Sequence, residues 1–342
     1  MDFFDTMTID PRVAEILSRG WYRERLTPED CKYLLTFRDR SPVANLSVSL
    51  AERLNHQACA DTGQICAVIE TSTGPCPLNC GFCRFAESTS SCRFFDIDDS
   101  VLAKFANEIT GFSDVRSIRL ETTGDADIGD LARQVGIVRD NSKRGTRIIV
   151  DTKDLDEDGC RMLKDAGAFG AYHSCRIGEG KDTSISPERR LSTIRNLVDA
   201  GFWVTAGTEP FGVDTKPDDI VDAFFRTLDI GCHSCEVRPR IPVPGTRFGD
   251  FGEMSGSRVA QIRSVLTLAS SWYVPRIRIP MMGTYVMGRN VAFAHFNDLK
   301  EGKAQIEAAR RRLFNAGYRN ILRSDDAATE LGLAYLRQTG SV

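Results

Sequence analysis

Histidine is scarce in this chain, with four residues among 342, and no uninterrupted apolar run approaches the length of a membrane span. The first residues, Met1 to Thr6, lack a basic segment followed by an apolar one, so the sequence predicts no signal peptide. The formal net charge of −3 lacks the basic excess typical of nucleic-acid binding. We therefore expect a cytoplasmic protein that acts on a small molecule, with neither nucleic acid nor a membrane as partner.

The sequence also lacks a tandem repeat and any flexible linker that would divide it. Hydrophobic residues make up 42% and charged residues 27%, which is normal for a globular protein. A chain of this length can form one large α/β barrel. Eleven cysteines without an export signal favour a reducing compartment over a disulfide-rich secreted protein.

What the sequence does contain is a group of three closely spaced cysteines, Cys76, Cys80 and Cys83, in a loop with Gly and Pro. The loop directly follows a strand-like run at residues 65–69. Thiolates are the usual ligands of iron–sulfur clusters, and this spacing brings three sulfurs around one cube. A 4Fe–4S cluster with three protein ligands keeps one iron free, as a catalytic cluster requires. Zinc would need a fourth Cys or His at matching spacing, and no histidine follows closely.

Strand-like and helical segments alternate from residue 64 nearly to the end. The predicted strands are residues 65–70, 117–121, 147–151, 168–173, 203–208, 236–241, 276–280 and 320–323. The predicted helices are residues 100–110, 128–139, 156–166, 187–200, 216–228, 255–270, 302–316 and 326–337. This alternation predicts the α/β class and a (β/α)8 TIM-type barrel, full or nearly full. Because residues 281–296 look irregular, a six-stranded partial barrel is the structural alternative.

Two domain-level segments are expected. Residues 1–60 form an N-terminal helical extension, with helices from Thr27, a good N-cap followed by Pro28, to residue 38 and from 43 to 56. Residues 61–342 form the barrel and its C-terminal helices. In such a barrel the chemistry lies at the C-terminal ends of the strands, where the cysteine loop also falls.

The spacing Cys76-x3-Cys80-x2-Cys83, with Phe82 before the third cysteine, resembles the signature of the radical S-adenosylmethionine (AdoMet) enzymes. Over roughly residues 60–320 the chain is most similar to the biotin synthase group, which includes lipoyl-type, hydrogenase-maturation and methylornithine-forming relatives. The resemblance implies a 4Fe–4S cluster whose free iron chelates the amino and carboxylate groups of AdoMet. An electron, supplied by a reductant such as flavodoxin or ferredoxin, then cleaves AdoMet to methionine and a 5′-deoxyadenosyl radical.

The same resemblance implies AdoMet contacts at the strand ends. The run Thr122-Thr123-Gly124-Asp125 takes the place of the family's Gly-Gly-Glu loop around the methionine amino group. Arg176 or Arg190 pairs with the methionine carboxylate, since guanidinium binds carboxylate through two parallel hydrogen bonds. The remaining implied contacts are His173 and Ser174 near the ribose hydroxyls, Glu209 near adenosine, and Phe82 beside the adenine.

Sulfur insertion of the biotin or lipoyl type is the first reaction that the resemblance implies. Biotin synthase holds a second, sacrificial cluster on strand cysteines and a strand-seven arginine. The matching positions here are Leu120 or Glu121, Val150 and Thr205, none of them cysteine. Cys92 and Cys175 lie on the active face, where they would bind an auxiliary cluster or donate a hydrogen atom. The alternatives are a carbon-skeleton rearrangement or cofactor-assembly enzyme without an auxiliary cluster, and a non-catalytic iron–sulfur or zinc protein.

Arginines near the ends of strands six and seven suggest a small substrate that bears a carboxylate. Strand alternation predicts that Arg238 and Arg240 share one side, as do Arg276 and Arg278. We expect Arg240, Arg276 and Arg278 to bind the substrate. The oligomeric state is expected to be monomer or homodimer. The remaining cysteines are expected to be structural; they are Cys31, Cys59, Cys66, Cys160, Cys232 and Cys235.

Overall fold

The computed structural model describes residues 9–89, 92–275 and 283–322. The helices among them are α1 Pro11–Trp21, α2 Pro28–Leu35, α3 Pro42–Ala58, α4 Asp99–Gly111, α5 Ile128–Asn141, α6 Glu157–Ala166, α7 Pro187–Asp199, α8 Pro217–Ile230, α9 Gly256–Ala269 and α10 Leu299–Asn315. The strands are β1 Thr62–Thr73, β2 Phe95–Asp96, β3 Val115–Thr122, β4 Arg147–Asp151, β5 Gly170–Tyr172, β6 Trp203–Phe211, β7 Ser234–Pro239, β8 Val291–Phe296 and β9 Asn320–Ile321. No helix in these ranges is long and apolar enough to cross a membrane.

The N-terminal helices α1, α2 and α3 begin in the same way. Each has proline in its first turn, and the side chains of Asp10, Thr27 and Ser41 accept the N-terminal amide hydrogen bonds. Thr27 and Asp30 form a reciprocal capping box. These helices pack against the barrel helices α8 and α9, so the extension covers the outside of the barrel.

A curled parallel sheet forms the centre of the molecule. Its strand order is β1-β3-β4-β5-β6-β7, with β8 on the other side of β1. The segment before β8 joins the β7 edge, because the Cys235 amide donates to the Tyr285 carbonyl (2.8 Å) and the Met287 amide to the Cys235 carbonyl (2.9 Å). One stretch of chain therefore links the two edges of the sheet, as the TIM-type prediction requires.

The prediction of an irregular region at residues 281–296 was wrong for its second half. β8 pairs in parallel with β1 from Gln64 opposite Val291 to Ile69 opposite Phe296. The final predicted strand is confirmed as the short β9, which pairs only with Thr62 and Gly63. Helix α1 and the short strand β2, which is antiparallel to β1, were not predicted. The predicted strand 276–280 and helix 326–337 lie outside the described residues.

Strand alternation separates a core facing the helices from a polar barrel interior. Arg119 of β3 contacts Asp151 of β4 and Glu236 of β7, although β3 and β7 are not neighbours in the sheet. Such a contact requires all three side chains to point into the barrel. The intervening Leu120 and Val150 point the other way and belong to the apolar core.

Candidate active site at the strand ends

The three cysteines of the motif lie in residues 74–86, called here the cluster loop, directly after β1. Cys76 and Cys80 are buried and Cys83 is half-buried. The loop folds back on itself, because the Cys76 amide donates to the Phe85 carbonyl (2.7 Å) and the Phe85 amide to the Cys83 Sγ atom (3.4 Å). The three thiols are thus held at one position at the carboxyl end of β1.

Burial raises the pKa of the Cys76 thiol and raises that of Cys80 to about 11. The Cys83 thiol adds to both shifts and the Cys76 thiol adds to that of Cys80, so the sulfurs of the motif are close enough to interact electrostatically. The Arg176 guanidinium opposes the shift at Cys80, and the Gly124 amide does so at Cys76 by donating to its sulfur. Both groups would favour a thiolate at the position they face.

Residues 178–184, called here the bracing loop, support the cluster loop from the side. The Gly81 amide donates to the Asp182 carbonyl (2.8 Å), and the Ser184 hydroxyl donates to the Leu78 carbonyl (3.2 Å). On the other side, a Cβ atom on Gly124 would lie 2.7 Å from Leu78 Cδ1. Glycine at residue 124 therefore lets the loop after β3 approach the cysteines closely.

These features fit the iron–sulfur cluster that the spacing predicts. The three thiols interact with one another and lie next to backbone amide donors. Hydrogen bonds from such donors to the sulfurs of a cluster help to set its reduction potential. Within the described ranges, no three His, Cys, Asp or Glu side chains form a group that could hold a single metal ion. A cube-shaped cluster joins each thiolate to a different iron, so its ligands lie farther apart than those of one ion.

The loop after β3 carries the predicted methionine-binding run. The Thr123 amide donates to the Ser72 carbonyl (3.0 Å), and the Thr122 hydroxyl donates to the Asp151 carbonyl (3.1 Å). Both bonds anchor the loop between β1 and β4. Gly124 and Asp125 follow and face Cys76.

His173 and Arg190 meet at a half-buried carboxylate, Asp154. The Nδ1 atom of His173 donates to the Thr152 carbonyl (3.0 Å), and its Nε2 atom lies 3.2 Å from Asp154 Oδ1. The Arg190 Nη1 atom donates to the same oxygen at 3.0 Å. Burial acts to raise the pKa of Asp154, but its contacts with His173 and Arg190 outweigh burial and lower it. Asp154 is therefore ionised at neutral pH.

Glu179 connects this group to the cluster loop. Its carboxylate accepts hydrogen bonds from the Arg176 amide (3.0 Å) and the Thr183 hydroxyl (2.5 Å), and it lies 3.5 Å from Arg190 Nε. The Arg176 side chain is 3.8 Å from Glu209. Arg190 thus contacts two carboxylates and is buried, whereas Arg176 is partly exposed beside Cys80. Their roles toward AdoMet stay predictions.

A cavity of about 570 Å³ lies beside the cluster loop. Phe82, Arg176 and Arg240 are among its lining residues. Arg240 forms an ion pair with Asp214 and stacks on Phe248, 4.0 Å from the ring centre. Arg240 follows Pro239, the last residue of β7, so strand alternation no longer applies to it. The prediction that Arg238 and Arg240 share a side was therefore wrong.

Arg238 lies instead in the barrel interior, in a group that we call the interior cage: Arg119, Asp151, Tyr172, Glu236 and Arg238. Arg119 binds Asp151 through two hydrogen bonds of 2.6 and 2.8 Å and binds Glu236 at 2.9 Å. Glu236 also pairs with Arg238. The two guanidinium carbons lie 4.3 and 5.5 Å from the centre of the Tyr172 ring.

Sequence reasoning missed the roles of Arg119, Tyr172 and Glu236. The available signal was the presence of ionisable residues at alternate positions of strands otherwise rich in apolar residues, such as Arg119 and Glu121 in β3.

The cysteines expected to assist catalysis lie apart from the interior cage. The Cys175 thiol is buried, donates to the Pro187 carbonyl (3.9 Å) and accepts from Arg226 (3.5 Å), so it faces α7 and α8. The Cys92 thiol donates to the Arg84 carbonyl of the cluster loop (3.7 Å). Their proposed roles stay predictions. Cys66 lies in the interior near Arg119. Arg276 and Arg278 lie outside the described residues.

Comparison with known proteins agrees with this geometry. No protein-family model matches the sequence. The chain is 24% identical over 286 residues to the biotin synthase of Persephonella marina, across 80% of this chain and 81% of that one. It is also 24% identical over 347 residues to the biotin synthase of a Sulfurihydrogenibium species, across 98% of both chains. These similarities support a radical AdoMet enzyme of the biotin synthase-like group.

Solved structures confirm the barrel fold of this chain. Methylornithine synthase (PylB) superposes with a TM-score of 0.75 at 16% identity, over 93% of this chain and 99% of that one. The [FeFe]-hydrogenase maturase HydG superposes with a TM-score of 0.73 at 14% identity, over 91% and 76% of the two chains. The two solved proteins carry different activities on one fold, so the reaction has to be argued from the site.

Proposed function

We propose that this enzyme removes a hydrogen atom from a small carboxylate-bearing substrate inside the barrel, and that it does so without a sulfur-donating second cluster. Cys76, Cys80 and Cys83 would hold a 4Fe–4S cluster, which supplies the electron that cleaves AdoMet to methionine and a carbon radical. The remaining residues bind, orient and exclude water. The class of reaction is a rearrangement or a cofactor-assembly step.

The observation that carries the proposal is the interior cage. Biotin-type sulfur insertion draws on a second cluster, which the matching strands would hold with inward-facing cysteines. The inward residues of β3, β4 and β7 include Arg119, Asp151 and Glu236, which are already bound to one another. A buried, mutually paired charge network leaves no thiolates for a cluster at these positions. Cys66 lies close enough to Arg119, Asp151 and Glu236 to interact with them electrostatically.

The substrate carboxylate would be bound in part by Arg238. Its partner Glu236 is almost fully buried, whereas 42% of the Arg238 side chain is exposed, so the guanidinium is accessible to a ligand. Arg238 takes the role that the sequence assigned to Arg240, while Arg276 and Arg278 stay predictions. The carboxylates around Arg238 favour a substrate that also carries a positive group, because a buried carboxylate without a positive partner is costly.

Sulfur insertion is the second candidate, and one observation favours it. Both curated relatives reported above are named biotin synthase, and one matches the chain over 98% of its length. An auxiliary cluster would then need ligands such as Cys92 and Cys175. The two candidates differ in iron content, which makes them easy to separate.

The test is anaerobic iron and sulfide quantification with EPR, before and after addition of AdoMet. It compares the wild type, a Cys76/Cys80/Cys83 triple alanine variant, and the control Cys160→Ala, which changes a buried helical cysteine. We expect one cluster, retained in the control and lost in the triple variant, a spectrum that shifts with AdoMet, and formation of 5′-deoxyadenosine after reduction. Iron that survives in the triple variant would favour sulfur insertion. No iron in the wild type, or no response to AdoMet, would overturn the proposal.

A further inference from the structure

The hydroxyl of Tyr172 is a buried polar group without a hydrogen-bond partner among the residues that the structure describes. Only 7% of the residue is exposed. A buried donor that is left unpaired costs about 1–3 kcal/mol, and such groups in folded proteins call for an explanation. The rest of the side chain is well packed, because its ring lies against the guanidinium groups of Arg119 and Arg238.

Tyr172 is the last residue of β5 and points into the barrel, level with Asp151. Gly207 on the neighbouring strand provides room for its hydroxyl, since a Cβ atom there would lie 2.6 Å from the phenol oxygen. The same Cβ would lie 2.9 Å from both Ser174 Oγ and Glu209 Cγ. The hydroxyl therefore adjoins the predicted cofactor contacts on one side, while its ring contacts the interior cage.

The chemistry of this hydroxyl suits transfer of a hydrogen atom better than transfer of a proton. Burial, reinforced by Glu209, raises the pKa of Tyr172 well above its usual value, so the phenol keeps its hydrogen at neutral pH. A phenolic O–H bond is weaker than the C–H bond of a primary alkyl group. A primary carbon radical next to the hydroxyl would therefore take its hydrogen atom in a downhill step.

We propose that the Tyr172 hydroxyl donates a hydrogen atom to carbon radicals formed at the strand ends. The inference rests on the proposed function, which supplies the radical. In the step, a C–H bond forms at the radical carbon and the phenolic O–H bond breaks, leaving a neutral tyrosyl radical. That radical returns to tyrosine by taking one electron from the one-electron reductant of the reaction and one proton from water.

The other candidate donors lie in less suitable places. Cys175 and Cys92 face α7, α8 and the outer part of the cluster loop. Cys66 lies level with Ser117, two residues before Arg119 on β3 and therefore deeper in the barrel. Tyr172 is at the carboxyl end of its strand, where barrel chemistry takes place.

The test uses the enzyme with its cluster, AdoMet and dithionite in deuterium oxide, without added substrate. The exchangeable hydrogen of Tyr172 is then deuterium, and we expect 5′-deoxyadenosine to gain one mass unit. Tyr172→Phe should form unlabelled 5′-deoxyadenosine. The control Tyr285→Phe removes another buried hydroxyl, which lies on the outer side of β7 against Phe224, and should keep the label.

A second readout does not depend on turnover products. Freeze-quenched samples should show an organic radical in EPR that narrows when the protein contains ring-deuterated tyrosine and that is absent from Tyr172→Phe. The iron content of Tyr172→Phe should match the wild type, and its thermal unfolding temperature should be at least as high because the unpaired hydroxyl is gone. These two measurements show that the variant is folded and contains its cluster.

The possible outcomes separate the two proposals. Label that persists in Tyr172→Phe, or that is lost instead in Cys66→Ala, would overturn the hydrogen-donor role and leave the proposed function intact. Unlabelled 5′-deoxyadenosine from the wild type in deuterium oxide would also overturn it. Absence of 5′-deoxyadenosine from the wild type would overturn the proposed function itself.

Discussion

Arg119 holds Asp151 through two parallel hydrogen bonds, from Nε to Oδ1 at 2.6 Å and from Nη2 to Oδ2 at 2.8 Å. The pair lies inside the barrel, where a third contact joins Arg119 to Glu236. Two-pronged pairing of this kind fixes the orientation of both side chains. The interior is therefore preorganised before any substrate arrives.

Asp151→Asn should destabilise the protein strongly. The substitution removes a charge-assisted hydrogen bond from a buried pair and leaves Arg119 with Glu236 as its remaining carboxylate, so we expect a loss of about 1–3 kcal/mol in the free energy of unfolding. Urea unfolding of the cluster-free protein measures it. Asp158→Asn breaks the exposed pair with Arg161 and should cost no more than about 1 kcal/mol. Equal effects of the two variants would contradict a buried cage.

Stability should fall as the pH drops through the range in which histidine titrates. Burial lowers the pKa of His173 below its ordinary value of 6.5. Above pH 6.5 His173 is neutral in both the folded and the unfolded protein. Below pH 6.5 the histidine of the unfolded chain is protonated first, so the folded state loses stability relative to the unfolded one as the pH falls. One such proton contributes a slope of up to about 1.4 kcal/mol per pH unit. His173→Gln should remove this component, whereas His295→Gln at an exposed position should retain it. Unchanged slopes in both variants would refute this assignment.

Arg176→Gln should slow assembly of the cluster. Arg176 opposes the effect of burial on Cys80, whose pKa is already about 11, so losing the guanidinium raises that pKa further and reduces the thiolate available to bind iron. We expect the pH profile of anaerobic reconstitution to move to higher pH. Arg84→Gln is the control, since Arg84 stacks on Phe85 in the same loop. A profile that moves equally in the control would argue against an electrostatic cause.

Gly207→Ala should crowd the centre of the site. The added methyl would lie within 3.0 Å of three side chains, including the Tyr172 hydroxyl, and overpacking of this kind costs about 1–3 kcal/mol. Gly111→Ala, at the end of α4 where a Cβ atom meets nothing within 4 Å, serves as the matched control and should be neutral or slightly stabilising. Thermal unfolding compares them. An equally stable Gly207→Ala protein would mean that the Tyr172 hydroxyl moves freely.

The parts of the molecule that the sequence predicts are those set by local spacing. Most helices and strands are determined by residues close in the sequence, and the structure confirms them. The three cysteines of the motif are also close in the sequence, and the structure holds them in one loop. β8 was missed because its strand signal follows an irregular segment and depends on a partner, β1, more than 200 residues away.

The interior cage could not be assigned from sequence for a related reason. Alternation shows that Arg119 and Leu120 face opposite ways, but not which one faces inward. Only the contact between Arg119 and Glu236, on strands far apart in the chain, decides this. The prediction for Arg240 was wrong because it applied strand alternation to a residue outside the strand. β7 ends at Pro239, one residue before Arg240.

The bracing loop has a consequence for biosynthesis. The cysteines leave the ribosome well before Asp182 and Ser184, whose hydrogen bonds hold the cluster loop in place. Strand β8, which pairs in parallel with β1, is synthesised later still. A growing chain thus presents its three thiols on an unsupported segment, and domains fold as units once their contacts are available. We therefore expect iron to bind the proposed cluster site only after the chain is complete and folded.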